Sequence, residues 1–215
     1  MGEYMKKIKI LCLVVVIFYL IIGLIKWNMT TIFASLLSIL FIIIVDIIAK
    51  KLKFNYILRI LIYIFILSTE LLGEVYHFYE NIWWFDIVMH TYFAFIISYV
   101  SVYILRYFNI RSNCLFMAIF IFSFAMMIES IWEIFEFSMD RLAGSDMQKD
   151  TIVEKINSTY LGSGIRINSV VVNDIDFMDR FGGYIDIGLY DTIFDMMCTV
   201  MGSFIFIITM KKRLC

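Results

Sequence analysis

The sequence predicts an all-α fold: a polytopic membrane helix bundle of about six transmembrane helices, with a small outer loop subdomain between helices five and six. Three observations predict it. Of the 215 residues, 62% are hydrophobic and the mean hydropathy is +0.89, against an apolar share of roughly 45 to 50% in soluble domains. Several stretches exceed the roughly 18 apolar residues that cross a bilayer as a helix. No polar stretch is long enough to form a separate soluble domain, so residues 1–215 read as a single integral membrane domain.

Apolar windows between charge clusters place the spans near residues 8–25, 31–49, 56–73, 85–105, 114–138 and 188–210. The first follows Lys6, Lys7 and Lys9, as a signal peptide would, but ends IIGLIKWN without a small-residue cleavage site. It reads as a retained signal anchor. The chain has no proline, so no ring forces a kink and straight helices are expected.

Lys and Arg set the orientation. With the N-terminus in the cytoplasm, twelve of the 18 fall inside, which predicts a multi-pass protein of the cell membrane with both termini cytoplasmic. The acids do the reverse: only Glu3 and Asp46 of 19 lie inside. Asp46, four residues before Lys50, reads as a snorkelling ion pair. The formal net charge of −1 gives no hint of nucleic-acid binding, and nucleic acid is not an expected partner. Cys12, Cys114, Cys198 and Cys215 lack CxxC spacing, which argues against a disulfide framework or zinc knuckle.

The connection 141–186 is longer than loops usually are without a task. It begins RLAGSDMQKDTIVEKINSTY and later holds two β-prone pieces, RINSVVV and GGYIDIGL. A helix followed by a small hairpin, folded as a cap over the outer face, is the expectation. Asn157 opens an NST sequon, a weak motif that means nothing in a bacterium.

The chemistry concentrates in MIESIWEIFEFSMD. At 100° per residue, Glu129, Glu133, Glu136 and Asp140 share one helix face. They form a stripe about 16 Å long, from near mid-membrane to the outer surface. Span four opens with Asp86 and His90 four apart, span six with Asp191 and Asp195 four apart, and span three ends with Glu70, Glu74 and His77. Four helices thus carry acids or histidines at one depth. An ionised carboxylate in a bilayer costs roughly 2.5 kcal/mol or more, and the spans hold no Lys or Arg at that depth, so protons or metal ions must join these groups. Carboxylates with an imidazole at i, i+3 and i, i+4 on facing helices supply the donors of bundle-core metal sites. The expected ligands of a divalent metal ion are His90, Glu133, Glu136, Asp191 and Asp195, with Glu129 or Asp86 as general acid or base.

Plainer readings compete. Asp140 and Glu136 can be solvated at a helix end, and Asp86 and Asp191 can be first-turn acids favoured by the helix dipole. His77 and Glu80 fit as interfacial residues, and Trp83, Trp84, Tyr76 and Tyr79 as an aromatic belt. Met126, Met127, Met196 and Met197 fit as packing.

FDIVMH, ESIWEIFEFSMDRLAGSDMQKDT and GGYIDIGLYDTIFDMMCTVMGS, in that order, resemble the pattern of the YjdF-like bacterial inner-membrane proteins, a family of unknown function. The resemblance covers roughly residues 65–205 and implies that the family's polar positions correspond to Asp86, His90, Glu133, Glu136, Asp191, Thr192 and Asp195. It implies no reaction.

The residues alone favour a metal-dependent hydrolase or transferase acting on a lipid or lipid-linked substrate from the outer leaflet, with membrane lipids as partners. No GxSxG, HExxH or phosphatase-like set is present. A proton- or cation-coupled transporter is the alternative, weakened because the charged residues stop near mid-membrane. An accessory membrane protein with a structural metal site is the third reading.

Overall fold

Apolar length sets the architecture of the computed structural model, which describes residues 2–144, 147–153, 155–158, 162–186 and 188–214. Six helices among these residues are long and apolar enough to cross a membrane, and the fold is an all-α polytopic bundle. They are α1 (Gly2–Lys26), α2 (Met29–Lys51), α3 (Tyr56–Leu67) with its continuation Ser68–Val75, α5 (Phe85–Tyr107), α6 (Cys114–Ala143) and α8 (Leu189–Leu214). Two short helices, α4 (Phe78–Asn81) and α7 (Phe177–Phe181), lie in connections. Each span matches its apolar window to within a few residues at the ends; α6 runs five residues past its window, which keeps Asp140 helical.

The turns are short because a capping residue starts the next helix within a few positions. Asn28 Oδ1 accepts from Thr31 N–H at 3.0 Å, Asn55 Oδ1 from Leu58 N–H at 2.9 Å and Asn113 Oδ1 from Phe116 N–H at 2.9 Å, each satisfying a helix-start donor. Asn55 also fastens α3 to α5, donating from its side chain to Tyr99 Oη at 2.9 Å and from its backbone to Tyr103 Oη at 3.1 Å.

The winding is not uniformly α-helical in span three. Its second part, Ser68–Val75, winds as a π-helix, with Tyr76 N–H reaching back five residues to Leu71 O at 3.0 Å. Without proline, the departure has another local cause: Thr69 Oγ1 bonds back to the Phe65 and Ile66 carbonyls at 3.1 and 3.2 Å, competing with the regular ladder just where the register widens.

The chain divides into two compact units, Met1–Ile128 with Cys198–Cys215, and Glu129–Met197. In the first, buried Met5, Cys12 and Val16 of α1 pack with Ile42 and Ala49 of α2, Leu58, Ile62 and Ile66 of α3, and Ile96 and Tyr103 of α5. Val102, Ile121 and Phe206 form a second cluster. Since lipid tails are as apolar as these side chains, close approach rather than a hydrophobic drive holds the helices. Gly202 shows this: a β-carbon there would run into the Thr91 carbonyl oxygen and Ala94 Cβ. Cys12 and Cys198 are buried thiols, whereas Cys114 is disulfide-bonded.

The second unit holds the connection and corrects its expected structure. No helix opens it among the described residues. TIV (β1, Thr151–Val153) is a strand that pairs antiparallel with Tyr184–Asp186 (β6), and KINS (β2, Lys155–Ser158) pairs with Gly162–Arg166 (β3). Val171–Val172 (β4) pairs with Ile175–Asp176 (β5) across Asn173 and Asp174, both at positive φ. GGYIDIGL thus contributes a strand as expected, but its partner is TIV and not RINSVVV. Thr159, the third residue of the Asn157 sequon, lies outside the described residues.

Candidate functional site

The first unit places Asp86 in the opening turn of α5 and His90 one turn on. The four-residue spacing brings His90 Nε2 to 3.5 Å from Asp86 Oδ1, with both side chains more than four-fifths buried. A carboxylate beside an imidazole fixes the ring's orientation, so the pair can offer the ring as a base or as a ligand. On the same helix, the buried positions farther along include Ala94, Ser98 and Ser101. Span three contributes a buried Glu70 and an exposed Glu74. His77 is exposed and bonds Glu80 Oε1 through Nδ1 at 3.1 Å, which suits its interfacial reading.

The second unit holds the other candidates. Glu129, Glu133 and Glu136 of α6 are buried, Glu129 completely, and Asp195 of α8 is 1% exposed. Their burial extends a stripe that begins in the first half of α6, where the preceding buried positions are Ile121 and Ala125. The stripe changes from apolar to acidic without changing face. α8 repeats the pattern in the opposite chain direction, from Asp195 to Cys198, Thr199, Gly202, Ser203 and Phe206. These acids are therefore not solvated helix ends. Neither α6 nor α8 offers a lysine or arginine near them: the sequence contains none at 112–140 or 181–210.

Asp140 and Asp191 have a separate task. Asp140 accepts the backbone N–H groups of Met147 at 2.7 Å and Gln148 at 2.9 Å. Asp191 Oδ2 accepts Lys149 N–H at 2.9 Å, and Gln148 Nε2 donates to Thr192 Oγ1 at 2.6 Å. The segment 147–149 is thereby fastened to the end of α6 and the start of α8. Gly188, at φ 128°, lets the chain pass against Gln148, where a β-carbon would fall 2.9 Å from Gln148 Cβ. The reading of Asp140 as a wet helix end is thus replaced by a structural one, and Asp191 combines first-turn placement with a loop contact. Sequence reasoning missed Gln148 and Lys149 because two of the three ties to these aspartates and Thr192 run through backbone amides, which every residue type carries.

Asp46 also differs from its expected pairing. Lys50 Nζ is 2.9 Å away, as predicted, but Lys9 Nζ at 2.9 Å and Arg59 Nη2 at 2.8 Å join it. One carboxylate ties α1, α2 and α3. The excess of basic over acidic residues in the first 69 positions was the available signal.

Chemically, α6 and α8 present hard oxygen donors suited to a divalent cation, and α5 a borderline nitrogen. The whole defines a multi-pass membrane protein whose spans carry buried acids. The chain belongs to the family described as "Predicted membrane protein (DUF2238)", whose model matches residues 7–214. That match takes in the first two spans, which the motif resemblance had covered only as generic hydrophobic helices. No curated protein and no solved structure matches the chain.

Proposed function

We propose that this chain is a metal-dependent membrane hydrolase or transferase that acts on a lipid or lipid-linked substrate from the outer leaflet, with both termini in the cytoplasm. The observation that carries the reading is the burial of Glu129, Glu133, Glu136 and Asp195 within spans whose sequence supplies no nearby Lys or Arg. Several buried carboxylates of like charge persist together only if protons or a cation enter with them. Glu133, Glu136, Asp191 and Asp195 are the proposed ligands of a divalent ion. The ion would lower the pKa of a bound water and polarise a phosphoryl or carbonyl oxygen, and Glu129 would move the proton. In its own unit, the Asp86–His90 pair is proposed as an acid–base or ligand group, and His90→Ala tests it separately.

A carrier is the weaker reading. The buried positions that continue these faces are Ile121 and Ala125 on α6 and Ala94, Ser98 and Ser101 on α5, so neither helix extends a charged path along its length.

The test is elemental analysis of the purified full-length protein in detergent, with thermal denaturation at increasing Mg²⁺, Mn²⁺ or Zn²⁺. A stoichiometric ion and a saturable rise in Tm are expected for the native chain, and both should vanish in Glu133→Gln. Absence of bound metal, with identical titrations for the native chain and the variant, overturns the metal reading.

A further inference from the structure

The cluster around Asp46 carries more positive charge than the protein neutralises. Lys9, Lys50 and Arg59 all lie within 2.9 Å of the one carboxylate, so three cations surround one anion and two positive charges are left over. No other acid in these helices can absorb them. Residues 1–69 contain one more, Glu3, and it is exposed and pairs with Lys7 at 3.4 Å. The helix dipoles do not absorb them either, because the C-terminus of α2 and the N-terminus of α3 both adjoin the cluster and oppose one another. Nor is the surplus simply dissolved in water: the Lys9 and Arg59 side chains are 29% and 17% exposed. The Arg59 Nε–H group is buried and makes no hydrogen bond among the described residues.

Partly desolvated cations at the end of a membrane helix are costly until an anion joins them. An arginine fork with two lysines is the donor set that suits a phosphate group. The cluster also sits at the helix ends which the Lys and Arg count assigns to the cytoplasm, where basic pockets between helices meet acidic phospholipids. We infer that Lys9, Lys50 and Arg59 form a binding site for a phosphate group, held there by an acidic phospholipid headgroup or as the free anion.

The full-length protein, delipidated in neutral detergent, is titrated with phosphatidylglycerol, with phosphatidylcholine and, at matched ionic strength, with inorganic phosphate, and Tm is read. Phosphatidylglycerol should raise Tm saturably and phosphatidylcholine should not. Lys9→Gln and Lys50→Gln should each weaken the apparent affinity about fivefold, and together on the order of twentyfold. The Lys50 side chain is 72% exposed, so its replacement leaves the fold intact. Saturation by inorganic phosphate alone, with no further gain from phosphatidylglycerol, assigns the site to the free anion. Equal responses to the two lipids without a phosphate response, or a double variant that titrates like the native chain, overturn the inference.

Discussion

Two regions of the molecule bury carboxylates in membrane helices, and they solve the resulting problem differently. Asp46 brings its own cations, from three helices, and ends with positive charge to spare. The stripe Glu129, Glu133 and Glu136, with Asp195, lies in spans without a lysine or arginine at that depth. The first arrangement is complete in the protein and acts as a fastening, with a surplus that recruits an anion. In the function proposed above, a divalent ion supplies the counter-charge of the second. A buried acid in a membrane helix is therefore uninformative by itself; the origin of its counter-charge separates structure from function.

The largest effect should come from breaking the complete arrangement. Asp46→Ala leaves Lys9, Lys50 and Arg59 facing one another without their shared anion, and removing one partner of a buried charge cluster costs roughly 3–5 kcal/mol. Denaturation in detergent should show the loss as a large fall in Tm. Glu133→Gln should do little damage when no divalent ion is present: it removes a buried charge from a span whose sequence supplies no lysine or arginine nearby, so Tm should hold or rise. With ion at about a hundred times its Kd, the native chain should gain roughly 2.7 kcal/mol that the variant lacks. If Asp46→Ala and Glu133→Gln destabilise equally in metal-free buffer, the contrast between the two regions is wrong.

An uncharged control sharpens the contrast. Gly202→Ala places a methyl group against the Thr91 backbone carbonyl, which cannot swing aside as a side chain would. Overpacking of this kind costs about 1–3 kcal/mol, and the fall in Tm should be the same with and without added divalent ion or acidic lipid.

The spans were legible because lipid imposes one demand, apolar length, that a sequence states directly. The acidic stripe was legible for a related reason: the spacing of Glu129, Glu133 and Glu136 puts them on one face whatever that face meets. What escaped was set by pairing between distant residues or by the backbone. Lys9 and Arg59 lie 37 and 13 positions from Asp46, so only Lys50, one turn away, could be matched to it. TIV found its strand partner more than thirty residues on, at Tyr184–Asp186, past nearer β-prone segments. The π-helical winding of Ser68–Val75 rests on one threonine's choice of carbonyl acceptors, which composition does not reveal.

Asp176 extends the comparison to a carboxylate outside the spans, and predicts the smallest effect. Its side chain caps α7, accepting Met178 N–H at 2.9 Å, and also accepts Ser169 Oγ–H at 2.7 Å and Val170 N–H at 3.3 Å. The Ser169 hydroxyl, followed by these amides, holds its carboxyl below the usual 3.8. A carboxyl whose folded pKa is depressed stabilises the fold above its unfolded pKa and loses that contribution as pH falls through the folded value. The link between α7 and the β4–β5 hairpin should therefore be intact at pH 5 and loosen below about pH 3.8. Hydrogen exchange at the Met178 amide, corrected for intrinsic rates, should show protection falling over that window. Asp176→Asn should exchange faster at pH 5 and show no such pH step. Unlike the buried acids of the spans, this carboxyl gets its stabilising partners from neighbouring hydroxyl and amide groups, so neither divalent ion nor acidic lipid should change its protection.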